Sequence, residues 1–312
     1  MKISVVILNY LNWKDTIECI DSLLNQSHKN LEIIIVDNHS NNESVNKFIE
    51  KYAAIPHIHI LESSENEGFA RGNNIGITYS MDQLNIYNIF VANNDTIFTD
   101  ENFFSKLVNE PIDPTIGVIG TRIIGSDGLN QNPFKARIDW KFLVNRYAVL
   151  KWNIVRRSMQ ESKSKLSRSL IKLYFKRKHK DSEDINDSSN ATSGIPDGSP
   201  KDISMLHGSA IFFTENYLNI MRGFYPKTFL YNEERILYMV LKKAKLETAI
   251  REDLELYHKE DQSSALSFSN DSYKTKVFSY ASTNEAIKAK TYSLKRIKEI
   301  TNNFEYNFKK LK

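Results

Sequence analysis

Three short apolar runs in the first hundred residues each stop on a polar residue able to hold a ligand. Ile3–Leu8 runs into Asn9, Ile33–Val36 into Asp37, and Ile89–Ala92 into Asn93-Asn94-Asp95. Runs that are apolar at consecutive positions, without alternation, read as strands buried on both faces, the pattern of parallel sheets covered by helices. Such sheets bind ligands outside the carboxyl ends of their strands. The three polar endings therefore predict one crevice in an open α/β fold. A dinucleotide-binding version needs Gly-x-Gly-x-x-Gly after the first strand, and Asn9-Tyr10-Leu11-Asn12-Trp13 stands there instead.

Between the second and third runs lies Asn66-Glu67-Gly68-Phe69-Ala70-Arg71-Gly72-Asn73-Asn74-Ile75-Gly76, a glycine-spaced turn leading into a helix. Its glycines would let backbone approach a ligand, the helix start would offer unpaired N–H groups, and Arg71 would supply a positive charge for phosphate. Asn73 and Asn74 suit bracing the loop as well as touching a ligand. Asp37 can accept hydrogen bonds from a ribose or base, with the backbone at Asn9 and Tyr10 lining the same subsite, or it can serve as an N-cap or build an Asx turn, with Asn38, Ser40 and Asn41 close by. Asp95 is the best-placed carboxylate for a hard divalent cation, Mn2+ or Mg2+, that would stabilise a departing diphosphate. Asn94 stands beside it. These features together predict a nucleotide-diphosphate site.

The order of these segments resembles family-two inverting glycosyltransferases, especially a rhamnosyltransferase-like branch that serves surface polysaccharides. A second match spans Tyr231–His258, while residues 134–200 and the C-terminal tail lie outside it. The resemblance implies a nucleotide-diphospho-sugar transferase domain of the GT-A type, a mixed, mostly parallel central sheet flanked by helices, with a basic helical insertion and a C-terminal helix. It also implies that Asn93-Asn94-Asp95 takes the place of the family's Asp-x-Asp, with Asn replacing the first acid, and that Asp37 contacts the nucleoside. His207-Gly208-Ser209 resembles the turn beneath the acceptor pocket. Glu234 matches the second acid of the family's Glu-Asp pair and is the expected catalytic base, with Glu233 orienting the acceptor or supporting the helix start. A direct displacement needs such a carboxylate to take the acceptor proton. His258, after the strand-like Leu254–Tyr257, falls where the family places a histidine near diphosphate or metal. His207 carries a weaker expectation of the same kind.

Expected partners are the donor and a glycan or lipid-linked acceptor hydroxyl. No Gln-x-x-Arg-Trp motif occurs, which argues against processive synthesis. A catalytically silent glycan- or nucleotide-binding subunit of the same fold stays open through the substitutions at Asn93 and Glu234. A sugar-nucleotide pyrophosphorylase would need a glycine-rich Arg/Lys loop near residue 10.

Charge is segregated along the 312 residues: Lys135–Lys180 carries 15 Lys and Arg against two acids, +13, leaving −9 for the rest of a chain of net +4. Apolar residues recur there at helical spacing around Trp140–Ile154 and Leu166–Tyr174, predicting two basic amphipathic helices. Basic amphipathic helices favour an anionic membrane surface, and no module for reading nucleic acid accompanies them. A hairpin packed on the core is the alternative. Asp181–Lys201 reads as a mobile loop. The domain expectation is 1–265 for the transferase, comprising 1–110 for the donor, 134–200 for the insertion and 201–265 for the acceptor, then a helical tail over 266–312. In that tail Ser282 and Glu285 have capping-box spacing, and Leu294, Ile297, Phe304, Phe308 and Leu311 form a near-heptad stripe, suited to core docking or to a homodimer. One cysteine, no signal-peptide pattern and no spanning run predict a cytoplasmic protein, peripheral on a membrane at most.

Overall fold

A computed structural model describes residues 1–137, 140–161, 202–260 and 272–312. The three apolar runs are strands β1 (Ile3–Asn9), β2 (Leu31–Asp37) and β4 (Ile89–Asn93), with β3 (Ile58–Ser63) beside β2. Helices α1 (Trp13–Leu24), α2 (Ser44–Tyr52) and α3 (Gly68–Gln83) connect them. The chain continues through β5 (Thr96–Ile97), α4 (Phe103–Val108), β6 (Ile116–Ile124), β7 (Phe134–Arg137), α5 (Trp140–Glu161), β8 (Asp202–Met205) and β9 (Ala210–Phe213). It ends with α6 (Glu215–Leu218), α7 (Glu233–Ala244), β10 (Glu247–His258), α8 (Ser272–Thr291), α9 (Leu294–Asn302) and β11 (Phe308–Lys310). The main sheet has the order β11-β3-β2-β1-β4-β9-β6-β10-β5, and β7 pairs with β8 in a separate ribbon.

Side chains of β1 alternate between two buried layers, which is why its sequence is apolar at every position from Val5 to Leu8. Val6 packs with Val36 and Val91 toward α3, whereas Val5 and Ile7 pack with Cys19, Ile20 and Leu23 of α1 and with Phe48 of α2. Parallel pairing aligns Asn9 with Asp37 and Leu8 with Asn93, so the polar endings share one edge of the sheet. The central sheet is thus the mixed, helix-flanked sheet expected.

Three local expectations change. Gly72 and Gly76 lie inside α3, where a Cβ at 72 would sit 2.7 Å from Leu8 Cδ1 and one at 76 would collide with Val6. They serve close packing of helix on sheet. The N–H groups of Glu67, Gly68 and Phe69 already donate, to Asn38 Oδ1 at 2.9 Å, Asn66 Oδ1 at 3.0 Å and Phe229 O at 2.8 Å, so the helix start is capped by protein. Finally, the tail is not one amphipathic helix. Ser282 sits within α8 and donates to Leu230 O at 2.7 Å, and Ser293 caps α9 instead. Phe308 belongs to β11, which pairs antiparallel with β3 and covers that sheet edge.

Helix α5 realises the first of the two basic stripes. Leu143 is fully buried, and Tyr147 stacks on Tyr280 of α8 at 4.8 Å between centroids, with a 2.7 Å bond between hydroxyls. Its inner face therefore packs on the chain's own helix. The second stripe, Leu166–Tyr174, and the loop Asp181–Lys201 lie outside the described residues. Among those described, no helix is long and apolar enough to cross a membrane.

Candidate active site

At the donor edge, Asn9 donates to Asp37 Oδ2 at 2.7 Å and Ser40 Oγ at 3.1 Å, and accepts from Thr16 Oγ1 at 2.8 Å. Asp37 also accepts from Ser40 N at 2.9 Å and Ser40 Oγ at 2.6 Å, the Asx turn weighed from the sequence. Asn94 donates to Thr16 Oγ1 at 3.0 Å. Tyr10 is half-buried next to this ring. Leu11 follows it at φ +64°, a left-handed conformation costly for a branched side chain, with its N–H held by Ser40 Oγ at 2.9 Å.

The remaining donor residues brace α3. Arg71 pairs through Nε with Glu67 at 2.9 Å, and its guanidinium lies 5.8 Å from the Phe304 ring centre. Asn73 donates to Phe69 O at 3.0 Å. Asn74 is fully buried and ties three segments, donating to Phe224 O at 2.7 Å and Tyr306 Oη at 2.8 Å while accepting from Phe224 N at 2.8 Å.

Asp95 and His258 come together because β5 pairs antiparallel with β10, setting His258 opposite Thr96. Asp95 Oδ1 and His258 Nε2 face each other at 3.3 Å, both buried. The imidazole is oriented by Gln131, whose Nε2 donates to Glu260, leaving Oε1 to accept from His258 Nδ1 at 2.9 Å. In the neutral ring Nε2 therefore presents a lone pair toward the carboxylate. Two acceptors without a hydrogen between them suit a cation, and one oxygen with one nitrogen suits manganese better than magnesium. Among the described residues no third His, Cys, Asp or Glu completes a cluster, so other ligands would come from diphosphate or water.

His207 adjoins this pair, with ring centres 5.6 Å apart. Burial, and second the neighbouring His258, push its pKa down to about 4, and its Nδ1 meets Ser209 Oγ at 2.8 Å. Ser209 O accepts from Asn93 N at 2.9 Å, joining this turn to the end of β4. The next residue, Gly208, donates its N–H to Glu234, and a Cβ there would stand 2.6 Å from Glu234 Oε1. Burial raises the Glu234 pKa. Glu233 is buried more deeply, and desolvation followed by the Glu234 charge pushes its pKa up to about 8. Both carboxyls are thus pushed toward their protonated forms, Glu233 through burial and the adjacent Glu234 charge and Glu234 through burial. Tyr231 and Asn232, just before them, both have left-handed backbone at φ +75° and +69°. Two consecutive strained non-glycine residues aim the start of α7 at Gly208.

Sequence reading missed Thr16 and Gln131. Ser40 carried a signal, standing three residues after Asp37 as an Asx-turn partner does. Gln131 carried none, since its partner is 127 residues away.

A mixed sheet whose polar strand ends gather a carboxylate, an imidazole and an opposing acid pair is the architecture of GT-A nucleotide-sugar transferases. The chain belongs to glycosyl transferase family 2, whose model matches residues 4–185. Over 133 residues it is 29% identical to the low-salt glycan biosynthesis hexosyltransferase Agl10 of Haloferax volcanii, covering 42% of this chain and 40% of that protein. Over 101 residues it is 36% identical to an uncharacterized glycosyltransferase of Rickettsia bellii, covering 31% of this chain but 13% of the relative. The chain thus spans well under half of these relatives. Two solved structures share the fold. They are S. aureus TarS 1-349 in complex with UDP-GlcNAc, at TM-score 0.51 and 13% identity over 84% of this chain and 59% of that one, and the mannosyltransferase PcManGT of Pyrobaculum calidifontis in complex with GDP-Man and Mn2+, at 0.50 and 12% over 93% and 76%.

Proposed function

We propose that the chain is a metal-dependent inverting glycosyltransferase that moves one sugar from a UDP- or dTDP-activated donor to a hydroxyl of a glycan or lipid-linked acceptor for cell-surface polysaccharide. The observation that carries this reading is the continuous line Asp95–His258–His207–Gly208–Glu234, with a cation-suited pair at one end and a carboxyl group at the other. A divalent ion held by Asp95 and His258 would offset the charge growing on the departing diphosphate. Asp37 and the backbone at Asn9–Tyr10 bind the nucleoside, and Arg71 adds positive charge at the phosphates. Glu234 takes the acceptor proton as that oxygen attacks the anomeric carbon from the face opposite the leaving group. Glu234, the acid of the pair that Gly208 meets, is the base, and the more deeply buried Glu233 supports the helix start or orients the acceptor. The neutral His207 separates donor from acceptor without adding charge.

The test incubates the protein with Mn2+ and individual UDP-, dTDP- and GDP-sugars, following nucleoside-diphosphate release and thermal stabilisation. Metal-dependent stabilisation and release with one donor is the expected result. Stabilisation without release from any donor, with glycan acceptors supplied, would support the silent subunit instead.

For the basic segment we propose contact with an anionic membrane on the cytoplasmic side, supported by exposed Lys141, Lys151, Arg156 and Arg157 on α5. Each Lys or Arg at such a surface adds about 1 kcal/mol. Reversing Arg156 and Arg157 should reduce sedimentation with phosphatidylserine vesicles at low salt, and unchanged sedimentation would reject the contact.

A further inference from the structure

Beyond the Glu234 end of this line, two guanidinium groups lie close enough to act on each other electrostatically. Arg146, on α5, donates through Nη2 to Ser279 Oγ at 3.3 Å. Arg235, next to Glu234 on α7, donates through Nη1 to Asn232 Oδ1 at 3.2 Å, and Asn232 donates to Thr283 Oγ1 at 3.4 Å. Ser279 and Thr283 are one turn apart on α8, with Thr283 Oγ1 donating to Ser279 O at 2.7 Å, so a single helical turn brackets both arginines. The Arg235 guanidinium also lies 5.7 Å from the ring centre of Phe142, which shares the α5 face with Arg146 four residues on.

The like charges act on each other: burial and then the Arg146 charge lower the Arg235 pKa, and Glu234 offsets this less than Arg146 adds to it. Arg146 Nε is buried and makes no hydrogen bond. Gathering two cations in a half-buried site and leaving a donor over costs free energy that an oxyanion would recover.

We propose that Arg146 and Arg235 form an oxyanion subsite that holds a phosphate or carboxylate of the acceptor beside Glu234. The inference rests on the reading of Glu234 as the acceptor-side base. The donor diphosphate belongs to the opposite end, at Asp95 and His258, with His207 and Gly208 between. An anionic group on the acceptor, anchored by the two guanidiniums, would orient the nearby hydroxyl toward the Glu234 carboxylate.

The test titrates inorganic phosphate, and separately glucuronate, into the full chain by calorimetry, with and without nucleoside diphosphate and Mn2+. Parent, Arg146→Gln, Arg235→Gln and Arg146→Lys are compared. With nucleotide filling the donor end, the parent should retain one saturable anion site that each Gln variant weakens at least about tenfold, the loss of one charge-assisted hydrogen bond. Nucleotide affinity should not change. Arg146→Lys keeps the charge without the fork and should recover part of the binding even if the Gln variant folds poorly. Preference for phosphate assigns a phosphorylated acceptor, and preference for glucuronate a uronic-acid acceptor. Equal anion affinity in parent and variants, or no saturable site in the parent, overturns the subsite. Arginine-dependent anion binding in a protein that binds no nucleotide would keep the subsite and defeat the transferase reading, which separates the two failures.

Discussion

At the ends of β1 and β2, Asn9, Asp37 and Ser40 close a hydrogen-bonded ring that Thr16 joins through Asn9, whereas across the crevice Glu233 Oε1, His258 Nε2 and Arg146 Nε are buried without a hydrogen-bond partner. The first arrangement holds its shape without a ligand. The second stores unmet polar demand, next to the strained Tyr231–Asn232 backbone. Buried polar atoms are nearly always satisfied in folded proteins, so a cluster of exceptions marks where a ligand or a proton transfer belongs. On the proposed reading, the difference separates residues that keep the donor cleft in form from residues that perform chemistry.

The contrast breaks first, and most widely, at Glu234. Glu234→Gln retains the shape but cannot take a proton, so turnover should fall by about 100- to 10,000-fold with nucleotide affinity little changed. Near-parental rates would move the base elsewhere. In the closed ring the penalty should appear as stability instead. Asp37→Ala strands the donors of Asn9 and Ser40 and should cost about 3 kcal/mol in urea unfolding while also weakening nucleotide binding without metal. A variant as stable as the parent would show that the ring does not brace the cleft.

Asp95→Asn lies between the two behaviours. It should weaken nucleotide binding about 10- to 100-fold in Mn2+ and much less in chelator, because cation and diphosphate are linked. Equal loss in both conditions would remove the cation from Asp95. The smallest effect has the opposite sign. Glu233 has a folded pKa raised to about 8, so its stabilising contribution is complete below pH 4.5 and is lost as pH rises toward 8. Glu233→Gln has no such loss, and its advantage over the parent should grow steadily across that window. A difference constant with pH would show that Glu233 ionises in the folded protein.

The donor edge was legible because its strands are buried on both faces and each ends abruptly on a polar residue, a local signal that needs no tertiary information. His258 was legible for the same reason, at the end of β10. Gly72 and Gly76 misled because a glycine that admits a ligand and one that admits a neighbouring strand look alike in sequence; only Leu8 and Val6 decide between them. Likewise Phe308 continued a helical spacing by coincidence, and the free edge of β3 claimed it as a strand. Arg235 adjoins the expected base in sequence, but its counterpart on α5 is brought near only by the packing of α5 and α7 around α8.

The position of β9 between β4 and β6 has a consequence for synthesis. During translation at roughly 5–20 residues per second, β6 emerges about 5–18 s before β9. Until then β4 and β6 have no strand between them, and the apolar faces that β9 will join stand open to the surroundings of the ribosome. The nascent chain is therefore most exposed to aggregation in this interval. Lengthening the segment before β9 should extend it, reducing the yield of folded protein without altering the finished molecule.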